Sequence, residues 1–166
     1  MCISPQKFLR PHWTARYRTD SHRVHGIIPC RSNAARTALG IRCVDGCVMG
    51  VEKVLMSKLL KPGSNKQIAS LGEHQGMAFS GWAPDARQLV DTGRHEVQNY
   101  EDTYGICIPP ALLAERLASY VHYFTIHGAL RPFGVGAIVC GFDVETKSHA
   151  LHMIEPNGVQ YRYFGA

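Results

Sequence analysis

The sequence predicts an α+β domain in which a pair of helices lies on one face of an antiparallel sheet. Three observations predict it. Two short apolar runs are joined by an Asp-Gly turn, two longer segments then carry apolar residues at helical spacing, and apolar runs separated by turn residues return after Arg131-Pro132. Strands, a helix pair and strands again is the order of such a layered domain.

The first element is a hairpin over residues 38–52. Ala38-Leu39-Gly40-Ile41-Arg42-Cys43 and Cys47-Val48-Met49-Gly50-Val51-Glu52 flank Val44-Asp45-Gly46. Asp-Gly suits the turn because glycine reaches positive φ without steric cost. A loop around Pro62-Gly63-Ser64-Asn65 follows, then a strand at Gly76-Met77-Ala78-Phe79-Ser80. A helix is predicted over 84–103: Ala86, Leu89, Val90, Gly93, Val97, Tyr100 and Tyr104 share one face, and Pro84 suits the first turn. After Gly105-Ile106-Cys107-Ile108, Pro109-Pro110 opens a second helix over 110–127, with Leu113, Leu117, Tyr120, Val121 and Phe124 on one face. So short a connection makes the two helices antiparallel. Residues 133–142 read as a long Gly-rich strand and 149–154 as another, and Pro156-Asn157-Gly158 turns into a last strand over 159–164.

The totals narrow the function classes. The 166 residues suffice for one domain with a real core, and 45% hydrophobic with 19% charged residues is a globular profile. No run reaches the roughly 18–20 apolar residues of a membrane span, and the opening residues carry no apolar signal-peptide core. The net charge of +5 is unevenly placed: residues 1–36 hold seven of the eighteen Lys and Arg and only Asp20 as an acid. That basic segment is interrupted by Pro5, Pro11 and Pro29 and has no hydrophobic period, so it is expected to be poorly ordered, with a folded domain over 37–166. Its Arg-rich start is like a transit peptide, yet lacks an apolar helical face. The rest of the chain offers no basic stripe with interleaved aromatics, so no nucleic-acid partner is expected.

Several side chains invite chemical readings. Six scattered cysteines without a secretory signal read as reduced thiols, and Cys43 and Cys47, which lack the two further ligands that zinc needs, read as buried structural thiols. His122 and His127 are five apart on a helix, and His149 and His152 point to opposite faces of a strand, so no metal or other cofactor is expected. Gly134-x-Gly136 opens a strand rather than joining strand to helix, which suits close sheet packing better than phosphate binding. Cys2 is the remaining temptation. Exposed by removal of Met1, it could act as nucleophile with its own α-amine as base, giving a free-standing hydrolase. That chemistry needs a rigid strand edge, and the first strand lies some thirty-five residues further on.

From Thr37 onward the chain resembles the alpha subunits of the proteasome core particle, the type-3 class above all. The resemblance is carried by Thr37-Ala38-Leu39-Gly40-Ile41-Arg42-Cys43, Gly50-Val51-Glu52-Lys53, Gly63-Ser64-Asn65-Lys66, Asp85-Ala86-Arg87, Tyr120-Val121-His122, Arg131-Pro132-Phe133-Gly134 and Met153-Ile154-Glu155-Pro156-Asn157-Gly158-Val159, in that order. It implies an α-β-β-α sandwich of the N-terminal-nucleophile (Ntn) hydrolase type. Residues 1–35 lack the family's gate motif and the chain stops at Ala166, so it is expected to be truncated at both ends, with the second helix layer missing and an apolar sheet face uncovered.

Relative to the catalytic beta subunits, the resemblance puts Arg36 at the nucleophile position, Glu52 at the acidic position and Lys66 near the lysine. Arg36 stays protonated and cannot attack, and Thr37 is internal, so no catalytic residue is expected. The implied role is architecture and gating: a place in a heptameric ring of alpha subunits, stacked on beta subunits, in cytoplasm and nucleus. The implied site is a pocket for activator C-terminal tails, with Lys66 pairing the terminal carboxylate and Gly81 near the floor.

Overall fold

The computed structural model describes residues 37–43, 45–52, 57–61, 63 and 66–163. The basic segment over 1–36, with Cys2 and Arg36, lies outside the described residues, as do Val44, Lys53, Pro62, Ser64, Asn65 and Phe164.

The hairpin forms as the Asp-Gly turn predicts. Strands β1 (Ala38–Arg42) and β2 (Cys47–Val51) pair antiparallel, with Ala38 opposite Val51 and Arg42 opposite Cys47. The Cys43 N–H donates to the Gly46 carbonyl at 2.7 Å, closing the turn. A second, five-stranded sheet is an antiparallel meander of β3 (Ile68–Ser70), β4 (Gln75–Gly81), β5 (Val135–Asp143), β6 (Ser148–Ile154) and β7 (Gln160–Tyr163).

Between β4 and β5 come α1 (Ala83–Tyr104) and α2 (Pro110–Ile126). Trp82 caps α1 without a side-chain bond, and Asp85 in the first turn supplies the negative charge that the helix start favours. Gly105 ends the helix in the left-handed conformation, its N–H donating to the Glu101 carbonyl at 2.8 Å. The helices are antiparallel: Gln88 reaches the Tyr120 hydroxyl and Arg116 pairs with Glu96 at 2.9 Å, so partners descend along one helix as they rise along the other.

Three layers result. α1 packs over β4 and β5, and α2 over β5, β6 and β7. Leu89, Val90, Leu113, Leu117 and Val121 are buried between them and the sheet, as the helical period predicts. On the opposite sheet face, Ala38 and Met49 of the hairpin meet Ala78, Ile138, Cys140 and Leu151. Alternation along the hairpin turns Leu39, Ile41 and Val48 the other way. Leu39 and Ile41 are only partly buried and Val48 is 48% exposed, so the outer face of this layer is uncovered among the described residues.

Four expectations need correction. Tyr104, grouped on the apolar face of the first helix, is 60% exposed, because the last turn of α1 lies beyond the buried stripe that ends near Val97. Phe133 is buried but precedes the strand: the Gly134 N–H goes to Asp85, and only the Gly134 carbonyl, accepting from the Trp82 N–H, extends the β4–β5 register beyond Val135. Strand β3, with an exposed, partly buried, exposed pattern, was not expected at all. Cys43 is exposed rather than a buried thiol, since it stands just past the end of β1.

Candidate functional site

Lys66 and Gly81 are positioned by the β3–β4 pair. Ile68 stands opposite Ala78, and the Phe79 N–H donates to the Gln67 carbonyl at 3.0 Å, so pairing runs one residue before β3. Continuing that register sets Lys66 beside Ser80, one residue from Gly81. The register therefore sets both residues toward the same end of the sheet. Lys66 is exposed, and among the described residues it takes part in no hydrogen bond or ion pair.

Gly81 occupies a conformation that only glycine holds without strain, with φ at 134°. A Cβ there would strike the Gly134 carbonyl and come 2.8 Å from the Val135 Cα. The close approach is locked by the Trp82 N–H, which donates to the Gly134 carbonyl at 3.0 Å. Gly134 in turn donates its N–H to Asp85 at 2.9 Å.

Asp85 is the hub of this corner. Its buried carboxylate accepts two bonds from the Arg131 guanidinium, both at 2.7 Å, in a forked pair. Arg131 holds the carboxyl below the usual range, and the Gly134 N–H adds to the effect against the opposing pull of burial. The same guanidinium stacks over the Trp82 ring, 5.0 Å from its centroid. A carboxylate fixed in this way is a poor proton carrier; the arrangement ties the start of α1 to the loop before β5. An open hollow of about 440 Å³ adjoins it, lined by Asp85, Gln88, Tyr120 and Arg131 among others, but by neither Lys66 nor Gly81.

Of the residues that the resemblance sets in protease-like positions, Glu52 and Lys66 are described and Arg36 is not. The Thr37 nitrogen is a backbone amide and donates to a Glu52 carboxylate oxygen at 3.4 Å, while the Glu52 N–H donates to the Thr37 carbonyl at 2.8 Å. An amide nitrogen has no basic lone pair with which to take a hydroxyl proton. Lys66 is bonded to neither residue. Among the described residues no group of three or more His, Cys, Asp or Glu side chains could hold a metal ion, and no helix is long and apolar enough to cross a membrane. Sequence reasoning missed the Asp85–Arg131 pair. Both stand in motifs that carry the family resemblance, but nothing in the spacing joins residues 46 apart.

A family model described as "Proteasome subunit" matches residues 32–166. Proteins named proteasome subunit alpha type-3 from Spinacia oleracea and Arabidopsis thaliana are each 51% identical over 130 residues, covering 78% of this chain and 51% of theirs. A probable proteasome subunit alpha type-7 from Schizosaccharomyces pombe is 44% identical over 132 residues, covering 80% of this chain and 51% of its own. The chain spans about half the length of the curated relatives it matches. Strand, helix-pair and strand order, antiparallel layers and these matches agree: the chain belongs to the proteasome subunit family, and its relatives are alpha-type members.

Proposed function

We propose that this chain is a non-catalytic structural and gating subunit of the proteasome core particle's outer ring, supporting ubiquitin-dependent protein degradation in cytoplasm and nucleus. The observation that supports it most is the match to the family over residues 32–166 and to its alpha-type members; beside it, Glu52 at the acidic position is engaged by the Thr37 backbone amide. Residues 37–166 are read as the partial subunit domain and 1–36 as a separate basic segment. Its partners are neighbouring alpha subunits in a heptameric ring, beta subunits below, and activator C-terminal tails. Lys66 pairs the terminal carboxylate of such a tail and Gly81 lies near the pocket floor. What supports this site is the exposed ammonium, unengaged by described neighbours, near a glycine whose lack of a side chain lets the Gly134–Val135 backbone pack against that sheet end. No observation favours the rival hydrolase reading through Cys2.

The test grafts residues 37–163 into a full-length alpha-type relative in place of its own segment. The chimera is expected to co-purify with alpha subunits and to enter a ring by native mass spectrometry. Failure to enter any ring defeats the family role for this chain. In the assembled chimera, Lys66→Ala should weaken binding of an activator-tail peptide by about tenfold, the order of one charge-assisted contact, with the ring intact. Unchanged affinity in an intact ring removes Lys66 from the pocket.

A further inference from the structure

Two cysteines face each other across the interface between the sheets. Cys47, Met49 and Val51 lie on the inward side of β2, and Cys140 is on the β5 face that meets them. The Cys47 thiol donates to the Ala150 carbonyl at 3.7 Å. Ala150 is followed by Leu151, the residue directly opposite Cys140 in the β5–β6 register, so the Cys47 sulfur stands in the column beside Cys140. Cys140 points the same way: its Sγ and the Met49 Cε both lie over Gly76, at 3.9 and 3.1 Å from where a Cβ would stand. Cys47 packs against the buried cluster that contains Cys140, and the neighbouring Cys140 thiol together with burial pushes the Cys47 thiol up from its ordinary range.

We propose that Cys47 and Cys140 form a reversible inter-sheet disulfide under oxidation, a redox-responsive staple between the hairpin layer and the central sheet. Both thiols are free in the described structure. Inter-sheet bridges of this kind occur in immunoglobulin domains, where facing sheets approach closely enough for the sulfurs to bond. Close approach is favoured here by Gly40 of β1, where an added Cβ would stand 3.1 Å from Ile138 and Leu151 side-chain atoms. The oxidant is a hydroperoxide, small enough to reach a half-buried sulfur. One thiolate attacks the peroxide oxygen, breaking the O–O bond to give a sulfenic acid and hydroxide. The second thiol attacks that sulfur, forming the S–S bond and expelling the oxygen as water. In total two thiols and one hydrogen peroxide give one disulfide and two waters; two electrons pass to the peroxide. A dithiol reductant reverses the change.

The bridge would close a long loop, from β2 through the helix pair to β5. It therefore restricts the unfolded chain and pins the hairpin, whose outer face is uncovered among the described residues. The experiment treats the folded full chain with hydrogen peroxide, blocks free thiols, and maps non-reduced peptides by mass spectrometry. The expected product is a linked Cys47–Cys140 peptide pair, lost on reduction and accompanied by a higher thermal midpoint before reduction. Cys47→Ser is chosen because Cys47 is only partly buried; it should leave the unoxidised midpoint nearly unchanged and abolish the oxidative rise. Two results overturn the proposal: both thiols still alkylated after oxidation once the chain is unfolded, or linkage of either residue mainly to Cys43 or Cys107.

Discussion

Leu117→Ala is the sharpest test of the helix layer. Leu117 is completely buried on α2, and its Cδ1 would stand 3.6 Å from a Cβ on Gly93 of α1. It thus fills the crossing of the two helices, directly above the five-stranded sheet. The substitution removes three carbons, worth about 2.4 kcal/mol at ~0.8 kcal/mol each in lost transfer free energy. A cavity contribution adds to this, because Gly93 has no side chain that could swing into the space. The loss should be ~3–4 kcal/mol, within the measured range for buried Leu→Ala changes. For a domain of this size that lowers the melting midpoint by on the order of 10 °C. The assay is urea or thermal unfolding of the two proteins side by side, followed by helix signal. Ile126→Ala is the control: that side chain is 65% exposed, and its loss should stay within about 0.5 kcal/mol. A Leu117→Ala cost no larger than the control's would refute the packing of α2 against α1.

Asp85→Asn should weaken the corner between α1 and β5 and reduce acid sensitivity. Because Arg131 depresses the Asp85 pKa in the fold, its contribution is complete above the unfolded value near ~4 and is lost as pH falls through the folded value. The stability gap between wild type and variant, measured by urea titration at several pH values, should therefore narrow on acidification; a gap independent of pH contradicts the ion-pair reading. His152 works in the same direction at milder pH. Its two ring nitrogens are buried without partners, and burial lowers its pKa, so the fold favours the neutral ring and loses stability as pH falls below about 6.5. His152→Leu should flatten that part of the stability–pH curve, and an unchanged slope would remove His152 as its source. Gly158→Ala should cost more than about 2 kcal/mol: φ is 84°, and a Cβ would lie 2.7 Å from the His122 Cα. A near-neutral effect in the same unfolding assay would mean that the β6–β7 turn does not pack on α2 so tightly.

Features that depend on local chemistry and repetition were legible along the chain. The Asp-Gly turn specified the β1–β2 hairpin, and apolar residues at helical spacing specified α1 and α2 and the buried set Leu89, Val90, Leu113, Leu117 and Val121. Both signals lie within a few residues of each other and need no knowledge of distant partners. The motifs from Thr37 onward carried the family as well. Contacts between remote segments were not legible there, because they arise on docking. Strand β3 has three residues and no buried alternation; it is a strand because β4 offers it a ladder. Phe133 reads as strand, yet the strand begins at Val135 because Asp85, on another element, takes the Gly134 N–H. Lys66 and Gly81 could be named from motifs, but their place toward the same sheet end follows from the β3–β4 register. The Asp85–Arg131 fork and the facing Cys47 and Cys140 leave no trace in spacing, because such contacts arise only when separate layers dock. Periodicity records which face of an element is buried, and docking chooses what that face meets.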